Sequence, residues 1–202
     1  MAELSLLVLA MVLVVVGVKR YQKYYMQDIR TPKQTQAIKR FWDYTETAIA
    51  KGRYENAEKA LLKILKYDTK NTAAYNRLGL LYSRMGKTDD AIACLDIASS
   101  LAPSVASLYN LGIMQFRNGN LEEAATALEK VIDLDPTIKR MLVFAKVQQK
   151  LGNHKRVVDI LEDVVNEDPS PRNLEYLLEA YENAKQYKKA EEVREQIRGM
   201  PG

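Results

Sequence analysis

Two hydrophobic patterns divide the chain. Residues 4–18 read LSLLVLAMVLVVVGV, an apolar run without a charge. Counting from Met1, only Glu3 interrupts eighteen residues, which as a helix span ~27 Å, close to a hydrocarbon core of ~30 Å. Beyond residue 37 the apolar positions recur at helical spacing instead. Tyr75, Leu78 and Tyr82 fall at i, i+3 and i+7, and Ala91, Leu95 and Ala98 repeat that face after a break at Gly86. Thr88 and Asp89 suit the start of the second helix, and Pro103 cannot continue it.

These helical pairs repeat. Glycines stand at Gly52, Gly86, Gly119 and Gly152, spaced 34, 33 and 33. Compact residues stand at Ala57, Ala91, Ala124, Val157 and Ala190, spaced 34, 33, 33 and 33. Pro103, Pro136 and Pro169 keep the same 33-residue period. Three residue classes sharing one period predict a tandem array of helical hairpins. The pattern predicts helices at 38–51 and 54–67, 72–85 and 88–101, 105–118 and 121–134, 138–151 and 154–167, and 171–184 and 187–198. The units are about 38–71, 72–104, 105–137, 138–170 and 171–198. The fold class is all-α: a solenoid of five hairpins preceded by a single transmembrane helix.

Charge sharpens the reading of the N-terminus. The net charge of +4 is concentrated in residues 19–40, where Lys19, Arg20, Lys23, Arg30, Lys33, Lys39 and Arg40 face Asp28 alone, a local net of +6. Lys19, Arg20, Tyr21, Lys23, Tyr24 and Tyr25 follow the apolar run directly and suit a membrane interface. A cleaved signal peptide would carry its charges before the run and a small-residue site after it, and VGVKRYQ offers neither. Eighteen residues without a polar stripe also argue against a buried helix of a soluble fold. We therefore expect an anchor at 1–20 and a basic juxtamembrane linker at 21–37 that favours anionic lipid. Basic residues beside a span stay on the cytoplasmic side, so the N-terminus would face out and the repeats the cytoplasm. The rest of the chain is nearly neutral, which argues against nucleic acid as a partner.

Little in the composition supports catalysis. One cysteine, Cys94, and one histidine, His154, exclude a disulfide framework and a multi-cysteine metal site. His154 sits where a helix begins and reads as a solvated or capping residue. Cys94 lies inside a helix and reads as a packed thiol. There is no glycine-rich phosphate loop, paired-cysteine motif or serine-centred elbow. The expectation is no enzyme activity, no cofactor and no metal.

The repeat resembles the tetratricopeptide repeat. Leu78-Gly79, Tyr82, Ala91 and Pro103 in the second unit carry the resemblance, as do Leu111-Gly112, Ala124 and Pro136 in the third. It covers about residues 37–198. Thr45 and Leu178 stand at the Gly position of the end units, and Thr69 replaces the closing proline of the first. Close packing accounts for the small residues: Gly79, Gly112 and Ala145 are expected to meet Ala91, Ala124 and Val157 of the paired helix.

The resemblance implies a scaffold that binds a protein segment in a groove lined by the first helices. Carried over residue by residue, the groove includes Trp42, Asn76, Arg77, Arg84, Tyr109, Asn110, Phe116, Arg117, Lys139, Leu142, Lys146, Gln149 and Arg172, and it turns acidic in the last unit at Glu175, Glu179 and Glu182. Aromatic and cationic groups there would suit a partner segment with acidic groups. The clamp that some relatives use for chaperone C-terminal carboxylates is not matched. Trp42 or Asn76 would stand for its first Lys and Glu46 or Leu80 for its first Asn, leaving Asn110 alone. An anchored array also resembles bacterial inner-membrane tetratricopeptide proteins that organise envelope assembly, which points to that membrane. Organelle import receptors share the layout, so a targeting receptor is the alternative, as is a regulatory subunit of a membrane enzyme. Self-association through the solenoid ends, where Leu177-Leu178 lie, stays open.

Overall fold

The computed structural model describes residues 31–200, all of whose regular structure is helical. These residues fall into two compact units that divide between Tyr67 and Asp68. The candidate span at 4–18 and the interface residues Lys19, Arg20, Tyr21, Lys23, Tyr24 and Tyr25 lie outside the described residues. Among those described, no helix is long and apolar enough to cross a membrane.

The first unit contributes one hairpin, α1 (Pro32–Ala50) and α2 (Tyr54–Tyr67). Helix α1 starts six residues before the expected 38, inside the segment read as a linker. The cause is local. Thr31 Oγ1 accepts from the Gln34 backbone N–H at 3.3 Å, and Gln34 Oε1 accepts from the Thr31 N–H at 2.9 Å. This reciprocal capping box precedes Pro32, whose fixed φ suits the first helical position. Ile38, Thr45 and Ala48 of α1 bury against Ala57, Ala60, Leu61 and Ile64 of α2. Thr45, at the small-residue position, is fully buried and donates to the Phe41 carbonyl at 2.7 Å.

The second unit holds four hairpins: α3 (Thr72–Arg84) with α4 (Thr88–Leu101), α5 (Val105–Asn118) with α6 (Leu121–Leu134), α7 (Ile138–Lys150) with α8 (His154–Glu167), and α9 (Pro171–Asn183) with α10 (Tyr187–Arg198). Each second helix also packs on the next hairpin's first helix, α4 on α5, α6 on α7 and α8 on α9. A buried cluster runs from Ala124 of α6 through Phe144, Val147, Leu161, Val164 and Leu174 to Val193 of α10. Burying each Leu or Phe there stabilises the array by roughly 1.5–3 kcal/mol.

The hairpin turns explain the glycine period. Gly52, Gly86, Gly119 and Gly152 all have φ between +67° and +85°. At each, the glycine N–H bonds back three residues and the next N–H back five, as Gly119 does to Phe116 and Asn120 to Gln115. The fifth turn has the same bonds, but Lys185 sits there with φ +59°. A helix-start class shares the period as well. Asn71, Ser104, Thr137 and Ser170 precede α3, α5, α7 and α9 at 33-residue intervals. Asn71 and Ser104 cap with their side chains; Thr137 and Ser170 do not. Helix α4 starts at Thr88 as expected, but its cap position is Lys87, which makes no side-chain cap.

The small-residue contact differs from expectation in its partner. A Cβ on Gly79 would lie 2.5 Å from Leu95 Cγ and 3.1 Å from the Ala91 carbonyl oxygen. At Gly112 the distances are 2.7 Å to Leu128 Cγ and 3.4 Å to the Ala124 oxygen. Glycine therefore makes room for a leucine one turn beyond the alanine, and the alanine contributes its backbone.

Candidate protein-binding groove

The first helices of the second unit line a common surface. Asn110 Nδ2 of α5 donates to Asn76 Oδ1 of α3 at 3.1 Å. Farther along, Gln149 Nε2 of α7 donates to Glu179 Oε1 of α9 at 3.1 Å. Between α7, α8 and α9 this surface deepens into a cleft of about 900 Å³. Ile138, Leu142, Val143 and Tyr176 give it apolar walls, and Val157 and Leu161 of α8 line it too.

The rim is cationic. Lys139, Lys146 and Arg172 line the cleft and are exposed. The Arg172 guanidinium lies 5.7 Å from the centre of the Tyr176 ring, and its Nε donates to Tyr176 Oη at 3.0 Å. Two carboxylates also line the cleft, and both are engaged. Asp168 Oδ2 accepts from Asn173 Nδ2 at 2.9 Å and from Ser170 Oγ at 3.2 Å. Glu179 accepts from Gln149 as above. An apolar cleft with cations at its mouth can take an apolar side chain flanked by acidic groups.

Of the sequence-predicted groove residues, Lys139, Leu142, Lys146, Gln149, Arg172 and Glu179 line this cleft. Asn76 and Arg77 are half-buried on α3, and Arg84 is exposed at its end. Tyr109 and Phe116 of α5 are half-buried and pack against the α6–α10 core, so much of their aromatic surface serves the fold. Asn110 is held by Asn76, and Arg117 is exposed. Trp42, half-buried on α1, belongs to the first unit. The acidic turn expected of the last unit is partly consumed at home, since Glu182 pairs with Arg194 at 2.6 Å. Tyr176 and the α8 floor were missed. The period points to Tyr176, which continues the positions of Asn76, Asn110 and Val143.

His154 opens α8, is exposed, and lines the cleft. Cys94 is half-buried on α4. Among the described residues no group of three His, Cys, Asp or Glu is placed to hold a metal.

Residues 76–137 match the family model of the tetratricopeptide repeat. A crystal structure of MamA protein superposes with a TM-score of 0.70 at 23% identity, covering 81% of this chain and 91% of that one. A second MamA crystal structure gives 0.62 at 26%, covering 77% and 97%. MamA from Desulfovibrio magneticus RS-1, from its residue 41 to the end, gives 0.67 at 15%, covering 80% and 93%. No curated protein sequence matches. The described residues thus have a tetratricopeptide-type fold.

Proposed function

We propose that this protein is a non-catalytic, membrane-tethered scaffold that captures a segment of a partner protein in the cleft between α7 and α9. The cleft itself carries the reading. It combines about 900 Å³ of mostly apolar space with Lys139, Lys146 and Arg172 at its edge, while its own carboxylates are already bonded. The partner segment presents an apolar side chain with acidic neighbours. The match of residues 76–137 to the tetratricopeptide repeat supports a binding role rather than a catalytic one.

The tether rests on the sequence. Residues 4–18 form the span, residues 19–25 supply the basic, tyrosine-rich interface, and the positive side keeps the repeats cytoplasmic. Anchoring raises the effective concentration of the cleft for partners at that surface. A bacterial inner membrane is the setting this layout suits.

Capture from detergent-solubilised native membranes tests the reading. A Lys139→Glu/Lys146→Glu variant should retain roughly tenfold less partner than the unaltered protein. Equal retention would remove the cleft from the function. In alkaline carbonate extraction the full chain should stay with the membrane, and release of the chain would remove the tether.

A further inference from the structure

The edge of the first hairpin differs from the matching edge of a later one. In α5 and α6, Leu111 and Ala127 of that edge join Ala91 and Leu95 of the preceding hairpin in one buried cluster. Two periods earlier the same positions are Tyr44 and Ala60, and Leu108 is matched by Phe41. Ser107 and Thr126 become Arg40 and Lys59, while Lys130 is matched by Lys63.

The first unit therefore carries a hollow of about 390 Å³ between α1 and α2, lined by Arg40, Phe41, Tyr44, Lys59, Lys63 and two smaller residues. No carboxylate lines it. Lys63 Nζ lies 5.3 Å from the Phe41 ring centre, and Phe41 stacks on Tyr67 at 6.3 Å. Tyr44 is 51% exposed and Tyr67 43%. Three cations and two exposed phenols on one hairpin edge form a surface that is positive and amphipathic at once.

We propose that this hollow seats anionic phospholipid headgroups and lays the first hairpin on the membrane surface. The inference rests on the reading of residues 4–18 as a span. Residues 19–31 alone separate that run from Pro32, and they add Lys19, Arg20, Lys23 and Arg30. Phosphodiester groups match Arg40, Lys59 and Lys63 in charge, and tyrosine suits the headgroup layer. Surface cations of this kind hold anionic lipid within about a Debye length.

The test uses the full chain reconstituted into vesicles of phosphatidylcholine, with and without phosphatidylglycerol. A solvent-sensitive fluorophore goes on Asn56→Cys in a Cys94→Ser background, since Asn56 lines the hollow. A control carries it on Asp163→Cys of α8. With phosphatidylglycerol the Asn56 probe should lose roughly half its acrylamide quenching, and the control probe should not change. Arg40→Gln/Lys59→Gln/Lys63→Gln should abolish the difference while helicity is retained. Three results would overturn the proposal: equal quenching on both vesicles, protection by inorganic phosphate on neutral vesicles, or protection that tracks protein density and so marks a second copy. Failure of the span reads differently, since the chain would then not float with neutral vesicles.

Discussion

Tyr181 of α9 donates its phenolic hydrogen to Glu162 Oε1 of α8 at 2.6 Å, and Lys189 of α10 donates to the same oxygen at 2.9 Å. One carboxylate thus joins the last two hairpins. Burial, and then the bond to Glu162, hold the Tyr181 phenol well above its ordinary range. The bond from Tyr181, with that from Lys189, holds Glu162 below the usual carboxylate range.

The signs give opposite flanks to the pH profile. The raised phenol contributes stability that is complete below pH ~10 and is lost as pH rises through its folded value. The lowered carboxylate contributes stability present above pH ~4.5 and lost as pH falls through its folded value. Tyr181→Phe should cost about 1–2 kcal/mol near neutrality and flatten both flanks. Urea unfolding across pH measures this, and an unchanged alkaline flank would contradict the assignment.

Gly79→Ala should destabilise by about 1–2 kcal/mol, although alanine is the better helix former. The new Cβ meets Leu95 Cγ at 2.5 Å, and Leu95 is fully buried and has nowhere to retreat. Gly86→Ala should cost ~1 kcal/mol for another reason, the left-handed backbone, since nothing lies within 4 Å of its Cβ. A double-mutant cycle with Leu95→Ala separates the two. Gly79 should couple strongly to Leu95, and Gly86 should be additive.

Lys185→Gly should stabilise the fold by roughly 0.5–1 kcal/mol. Lys185 holds φ +59° at the turn position where four hairpins use glycine. A thermal melt suffices to check it, and a lowered midpoint would mean that the Lys185 side chain does more than fill a turn.

Most of the array was legible because its determinants are local and periodic. Turn glycines, closing prolines and apolar faces each show in the sequence, and the helices of the second unit begin and end within a residue or so of their expected bounds. The early start of α1 was missed because a capping box is a reciprocal side-chain geometry, whereas Thr31-Pro32 alone reads as a turn. Lys185 hid because a left-handed lysine leaves no compositional mark. The groove was less legible. Tyr109 and Phe116 occupy groove positions, yet their packing against the α6–α10 core depends on neighbours far along the chain. The cleft's depth comes from α8, where Val157 and Leu161 read as ordinary core.

The central claim, that the α7–α9 cleft holds a partner segment, is tested most directly by a photo-reactive phenylalanine analogue at Leu142. Leu142 lines the cleft, and Asp163, exposed on α8, serves as the comparison site. After irradiation of intact cells, mass spectrometry should find one protein joined at residue 142 and not at 163, with the joined peptide rich in acidic residues. Adducts at both sites alike, or at 163 alone, would contradict the account.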